Sequence, residues 1–505
     1  MTVVVVGAGP VGLGAALLLA RWGIRSVVCE AKPAHEIVGS RSICTQRDVI
    51  DIFGRIGCAE PMLAEGVTWR TGRTFYREHE VLTVEFPEVS GTLPPWINIS
   101  QASVERYLLD RVAAEADIEL RWDHRVTGIE QDDAGVTVRT TRGPVTGDYL
   151  VGADGARSVT RELLGAEFPG ESYADQFLIA DIRCDLPFPS ERRFHFDPEW
   201  NPGRQVLVHQ CPDGVWRIDW QVPPDFDLAT ERASGALDAR IRRITGDRPY
   251  RTVWQTVYRF HERCADRFRI GRAFLAGDAA HLYAPFGARG LNSGMQDAEN
   301  LAWKLAFAYR GWAGPSLLDS YQQERRAAAL ENLRVTTETM RFLAPQSEAE
   351  WESRRKTLDQ AVTDPGARTR INSGKLAEAY WYLDSPLTTP GDTTGFPYRP
   401  GAKRPPVAGV LCPDAPLPDG RRLRQLFGYG FVALSAAPVE LPATDVPITA
   451  HRLEGPAREA LEATDTSVHL VRPDGHLAAV LAEADPAGLS AAVARACGLT
   501  AGTTG

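Results

Sequence analysis

Val3-Val4-Val5-Val6-Gly7-Ala8-Gly9-Pro10-Val11-Gly12 stands near the start of the chain, and Ala15-Ala16-Leu17-Leu18-Leu19-Ala20 follows it. Four consecutive β-branched residues predict a short strand covered on both faces. The alanines and leucines predict a helix. The G-x-G-x-x-G between them is the turn that joins such a strand to such a helix when a phosphate sits on the helix N-terminus. Gly7 permits the tight turn, Gly9 lets the backbone approach a pyrophosphate, and Gly12 lets helix and strand pack closely. Pro10 and Val11 open the helix. A second strand, predicted at 26–29, runs into Glu30-Ala31. Glu30 is placed to accept the ribose hydroxyls of an adenosine, and its charge disfavours a 2′-phosphate there. The pattern predicts dinucleotide binding and leaves NAD and FAD both open.

The rest of the chain sets limits on function. With 505 residues, 44% hydrophobic and 24% charged, it has the composition of a globular protein of about three domains. A formal net charge of -9 argues against nucleic-acid binding, which needs a basic face. No apolar run approaches the roughly 20 residues of a membrane span, and no signal peptide is evident. A cytoplasmic protein without membrane association is expected. The eight cysteines form no C-x-x-C and sit at no zinc spacing with a histidine, so neither a disulfide scaffold nor a metal site is expected. They read as small buried hydrophobes.

Four segments are predicted: 1–175, 176–267, 268–385 and 386–505. The first alternates strand and helix signals. The second reads as antiparallel strands at 177–181, 194–196, 205–210, 215–222 and 252–260. The third returns to a strand at 273–276 and then to helices; Leu291, Met295, Ala298, Leu301, Ala302, Leu305 and Ala308 recur near helical spacing. The fourth follows a Pro/Gly-rich arm, with strands at 431–435, 449–453, 468–471 and 477–481 and a helix near 489–496.

Two later motifs separate the cofactors. Gly152-Ala153-Asp154-Gly155 follows a strand at 149–151, and Gly277-Asp278-Ala279-Ala280-His281 follows the strand at 273–276, continuing through Pro285-Phe286-Gly287-Ala288-Arg289-Gly290-Leu291-Asn292. With these motifs in this order, the chain resembles the class A flavoprotein monooxygenases, the p-hydroxybenzoate-hydroxylase-like aromatic hydroxylases. Arg41, Gln101-Ala102-Ser103-Val104-Glu105, Asp297-Ala298-Glu299-Asn300-Leu301-Ala302-Trp303-Lys304-Leu305 and Ser320-Tyr321-Gln322-Gln323-Glu324-Arg325-Arg326 extend the resemblance. Leu470-Val471-Arg472-Pro473-Asp474-Gly475-His476 is similar to the thioredoxin-like tail of the phenol and phenylpropionate hydroxylase branch.

The resemblance implies an α/β fold: a Rossmann-like FAD-binding domain, an inserted antiparallel-sheet substrate domain at 176–267, and a thioredoxin-like C-terminal domain. It implies FAD as cofactor, NADPH or NADH as co-substrate, and dioxygen and a small aromatic substrate as partners; a homodimer is compatible with it. Asp278 would accept bonds from ribityl hydroxyls, or serve as a helix cap. The backbone at 290–292 would face the flavin pyrimidine edge, where a helix N-terminus favours negative charge. Asp154 would lie by the pyrophosphate, Arg41 and Gln101 by the phosphate and ribose, and the Val126 backbone by adenine. Ala288-Arg289 replaces the family's usual glycine–glutamine and is expected to put a cation near the flavin.

The implied chemistry is reduction of FAD by NAD(P)H, addition of dioxygen at flavin carbon 4a, and oxygen transfer to a phenolic or hydroxy-heteroaromatic ring. A base would ionise the phenol. No motif fixes that base: His209, Asp219, Tyr258, His261 and His281 are candidates, and each is also read as a core or surface polar group. Trp216, Trp220, Trp254, Tyr258 and His209 are candidates to line the substrate pocket, with plain sheet packing as the alternative for the tryptophans. Epoxidation, Baeyer–Villiger oxidation or non-catalytic flavin binding are the competing readings. Trp216-Arg217-Ile218-Asp219-Trp220 has the wrong spacing for the W-x-W-x-I-P of flavin halogenases. The tail has no C-x-x-C, so a structural or dimer-stabilising role is expected and not a redox one.

Overall fold

In a six-stranded sheet the strand Thr2–Val6 lies between Tyr149–Gly152 and Arg25–Cys29, with Ala273–Leu275 and Arg269–Ile270 beyond on one side and Ile118–Arg121 on the other. This is a computed structural model, describing residues 1–36, 39 and 42–499. Every pairing in the sheet is parallel except that of the edge strand Arg269–Ile270. Val3 and Val5 face the layer of helices that includes Leu13 and Leu17 of Pro10–Arg21 and Met295 of Gly290–Tyr309. Val4 and Val6 face Val126, Val138 and Val145 of a three-stranded antiparallel sheet. Burial on both faces accounts for the unbroken valine run.

A second, eight-stranded sheet contains each strand expected between 176 and 267: Gly170–Arg183, Arg192–Phe196, Gln205–Gln210, Val215–Val222 and Arg251–Cys264. It also draws on chain outside that segment. Gly170–Arg183 starts earlier, and the hairpin Thr71–Tyr76/His79–Glu85 pairs onto Arg192–Phe196 in parallel, Arg192 opposite Gly72. The hairpin takes up hydrogen-bonding groups that an edge at Arg192–Phe196 would leave unpaired. A parallel pairing across more than a hundred residues leaves no local sequence signal.

The faces of this sheet differ. Leu178, Ala180, Ile182, Val206, Val208, Trp216, Ile218, Trp220 and Val222 form one apolar layer, with Leu237 and Ile241 of the helix Ala236–Thr245. The other face carries Phe177, Phe194, Phe196, Leu207 and Phe260 and packs on Phe286.

The tail forms a four-stranded sheet. Ile448–Arg452 is parallel to Phe431–Ser435, which is antiparallel to Val468–Val471, itself antiparallel to Leu477–Leu481; the helix Pro486–Ala496 follows. All eight cysteines are buried and free. No described helix is long and apolar enough to cross a membrane.

Candidate functional site

The glycine loop has the geometry its residues dictate. Gly7 has φ +104°, and a Cβ there would lie 2.5 Å from the Ala153 carbonyl oxygen. A Cβ on Gly12 would lie 2.0 Å from the Gly7 carbonyl oxygen, so helix and strand meet at a distance that admits no side chain. Gly9 is different: nothing lies within 4 Å of its Cβ position. It caps Pro10–Arg21 without a side-chain hydrogen bond, and no acid occupies the first turn. The helix N-terminus thus opens onto space that suits a phosphate. Glu30 accepts from the Ala8 N–H at 2.8 Å and the Lys32 N–H at 3.0 Å, which fixes its carboxylate at the end of the second strand beside Ala31. Val126 is buried in the same cluster as Val27 and Cys29.

Asp278 is exposed while Gly277, Ala279 and Ala280 around it are buried. Its Oδ1 lies 3.9 Å from the Cβ position of Gly290, beside the start of Gly290–Tyr309. That helix also begins without a side-chain cap or an acid in its first turn. Asn292 ties this turn to the strand Cys44–Gln46: its amide donates to the carbonyls of Cys44 and Ala288 and accepts from the Gln46 N–H at 3.1 Å. The side-chain amide of Gln46 is buried there with neither nitrogen nor oxygen partnered among the described residues. An orphaned donor and acceptor beside an open helix N-terminus fit the polar edge of a bound heterocycle. Pro285, Gly287 and Leu291 complete this loop; Gly287, at φ +113°, leaves no room for a side chain against the Lys375 carbonyl.

Two expectations are corrected here. Arg289 does not offer its charge to the site. It is buried, donating to the carbonyls of Lys375 at 2.7 Å and Phe286 at 3.4 Å and to Asn332, and burial pushes its pKa down to about 10. Trp216 and Trp220 lie on the opposite face of the sheet, in the apolar layer, because side chains alternate along Val215–Val222. His209, Trp254 and Tyr258 share the face that carries Phe177 and Phe194, by cross-strand register.

Asp154 accepts from Ser158 Oγ at 2.5 Å and the Thr160 N–H at 2.9 Å, so its carboxylate faces the start of a short helix. Gln101 accepts from the Ser42 N–H at 3.2 Å and donates to Glu105, holding the loop after Glu30. Arg41 lies outside the described residues. His281 is fully buried against Asp297 at 2.8 Å and stacks on Tyr283. His261 is paired opposite Ser172 on the neighbouring strand, 2.7 Å from Ser172 Oγ.

Sequence reasoning passed over several residues. Arg217, in the same row as His209, is held by Asp181 through two bonds of 2.8 Å. Arg192 is buried beside them, donates to the Ser373 carbonyl, and has no carboxylate within ion-pair distance among the described residues. Asn98 accepts from Trp69 Nε1 at 2.8 Å and Cys44 Sγ at 2.9 Å. Each lies far in sequence from its partners.

A family described as an FAD binding domain matches residues 1–336. The chain belongs to this family. Its cofactor is FAD, and the open helix N-termini, Glu30, Asp278 and the Asn292 turn are the parts that fit it. A curated relative in this FAD-binding family is the 3-(3-hydroxy-phenyl)propionate/3-hydroxycinnamic acid hydroxylase of Mycobacterium sp. (strain JLS), 34% identical over 349 residues, 68% of this chain and 60% of that one. The chain thus spans about 60% of the length of this relative. The dialkyldecalin synthase of Streptomyces rugosporus is 36% identical, over 68% of this chain and 74% of that one. Among solved structures, the ternary complex of aklavinone-11 hydroxylase with FAD and aklavinone superposes with a TM-score of 0.77 at 25% identity, covering 98% of this chain and 99% of that one.

Proposed function

We propose that the chain is an FAD-dependent, NAD(P)H-consuming monooxygenase that hydroxylates a phenolic or hydroxy-heteroaromatic ring. The observation that carries this is the sheet face opposite the flavin loop. There Ile179, Asp219, Trp254, Thr256 and Tyr258 keep partial exposure, although Leu178, Ile218 and Trp220, directly beneath, are wholly buried. Aromatic walls with a few polar groups suit a planar hydroxylated ring. Similarity to a named aromatic hydroxylase over two thirds of the chain supports the reading.

In this reading Gly7, Gly9, Gly12 and Glu30 hold the adenosine and pyrophosphate, with Arg41, Gln101, Val126 and Asp154 near them. Asp278 and the 285–292 loop hold the flavin end. FAD, when bound, supplies the hydride acceptor and the site of dioxygen activation. The chain's residues position the ring and exclude water. The segments 1–175 and 268–385 serve the flavin. Segment 176–267, with the Thr71–Glu85 hairpin, serves the substrate. Segment 386–505 is a thioredoxin-like tail with a structural role, and the protein works in the cytoplasm.

The test is the anaerobic rate of flavin reduction with NADH and NADPH, with and without a panel of phenols and hydroxypyridines, followed by product analysis in air. Reduction accelerated by one ring class, with a hydroxylated product, is expected. The match to a dialkyldecalin synthase favours a second reading, in which the flavin fold serves another reaction. Reduction indifferent to every aromatic compound, with no hydroxylated product, would select it.

A further inference from the structure

We propose that Asp219 takes the proton from the hydroxyl group of the aromatic substrate, an assignment that rests on the hydroxylase reading above. Asp219 stands in the middle of the partly exposed face. Its cross-strand neighbours are Leu207 on one side and Ile179 on the other, with Thr256 beyond Ile179. Phe177 and Phe194 on the same face pack against Phe286, with ring centroids at 5.1 and 6.1 Å, immediately before Gly287 of the flavin loop. A planar ring entering here would lie between the sheet and that loop, above Asp219.

The Asp219 carboxylate is not consumed by the protein. The adjacent Arg217 is committed to Asp181, and Asp219 Oδ1 is buried without a hydrogen-bond partner among the described residues. A buried carboxylate oxygen left unsatisfied calls for a donor, and a substrate hydroxyl is a donor of the right kind. Two cations, Arg192 and Arg217, lie in the next row of the same face. Their field favours a phenolate oxygen over a neutral hydroxyl.

The step is a proton transfer without change of oxidation state. The substrate O–H bond breaks and an O–H bond forms on the Asp219 carboxylate. The negative charge passes to the phenolate oxygen, enriching the ring carbons that accept oxygen. The groups near Asp219 are Arg217 on its own strand, Asp181 on the neighbouring strand, His209 and Arg192 in the Arg217 row, and the thiols of Cys44 and Cys211. Burial, reinforced by Asp181 and opposed by Arg217, pushes the Asp219 carboxyl up to about 7. Burial and the two arginines hold His209 well below its ordinary 6.5, and burial pushes the Cys44 thiol up to about 12. Neither competes with Asp219 near neutrality.

The test uses the FAD-loaded enzyme and 4-nitrophenol, whose neutral and ionised forms absorb differently. In the wild type the bound probe is expected to ionise at a lower pH than in solution, and hydroxylation to fall as pH drops through about 7. In Asp219→Asn with full flavin content the two arginines remain and the carboxylate is gone, so the bound probe should still ionise, while the limb near pH 7 in the hydroxylation profile should vanish. Hydroxylation should drop roughly 10²- to 10⁴-fold and recover partly as pH rises past the probe's own ionisation. A merely structural carboxylate would change affinity or flavin content without moving the pH profile of hydroxylation, and an Asp219→Asn profile that keeps the wild-type limb overturns the assignment. Should that variant lose flavin, Asp219→Glu decides: hydroxylation retained with a displaced pH limb supports the role, and its loss in a flavin-loaded variant that still binds the probe removes it. A wild type that neither binds nor hydroxylates any phenol refutes the hydroxylase reading itself.

Discussion

Asp297 gathers three donors on one buried carboxylate: the Gly277 N–H at 2.9 Å, His281 Nε2 at 2.8 Å and Arg325 Nε at 2.6 Å. It therefore holds the loop that presents Asp278. Replacing it with alanine would leave the Arg325 charge uncompensated, and such losses cost about 3–5 kcal/mol. Asp297→Ala is expected to unfold at correspondingly lower urea and to retain FAD poorly. Its three donors hold the Asp297 carboxyl below the usual carboxylate range against the opposing effect of burial. A depressed folded-state pKa stabilises the protein above the unfolded value of about 4, and that contribution is lost as pH falls below it. The acid limb of a stability profile should therefore flatten in Asp297→Asn. Asp278→Ala should behave differently. Because Asp278 is exposed, the variant should fold normally and lose FAD on gel filtration; full FAD occupancy would rule out its role. The sequence pointed to Asp278 through its place after a strand. Asp297 and Arg325 stood only within the resembling segments, with no role assigned, because their partners lie on other elements.

The strands between 176 and 267 were legible as elements, and the helix Gly290–Tyr309 nearly to its ends, because period and turn residues are local properties; the hairpin Thr71–Tyr76/His79–Glu85 that joins their sheet was not predicted. What the period could not say is which face of the large sheet looks toward the flavin. Trp216 and Trp220 on one side and Trp254 and Tyr258 on the other are equally aromatic, so composition gives no preference. The structure separates them, and the separation is testable. Trp220→Ala, in the helix-covered layer, should cost about 3–5 kcal/mol of stability and leave substrate affinity nearly unchanged in a folded fraction. Trp254→Ala should cost less stability and raise the KM for the aromatic substrate. Thermal unfolding and steady-state kinetics on the two variants distinguish the faces. Equal effects on KM would contradict the assignment. The position of Arg289 was illegible for a related reason: the backbone carbonyls that take up its guanidinium come from 375–376, far along the chain.

At the scale of the molecule, the tail is bound to the flavin-side helices by a buried ionic cluster. Arg472 donates to Glu324 at 2.6 and 2.9 Å and to Asp474 at 3.0 Å; Glu324 also accepts from Lys304 and Ser385, and Asp474 from Asn300 and Trp303. The Arg-Pro-Asp-Gly motif of the sequence is thus a fastening, with partners Asn300 and Trp303 on the helix Gly290–Tyr309 and Glu324 on Ser316–Leu343. A chain ending near residue 385 would leave Lys304 and Glu324 without Arg472 and is expected to be recovered unfolded or aggregated. Arg472→Leu in the full chain should lower the unfolding midpoint of both regions together, in one transition by calorimetry; two separated transitions would show that the tail folds independently. The two-sided sheet has a further consequence, for how such a protein diversifies. Ile179, Thr256 and Tyr258 can change without touching the layer beneath them, so new ring specificities are reachable through single substitutions that leave the foldedness of the chain intact.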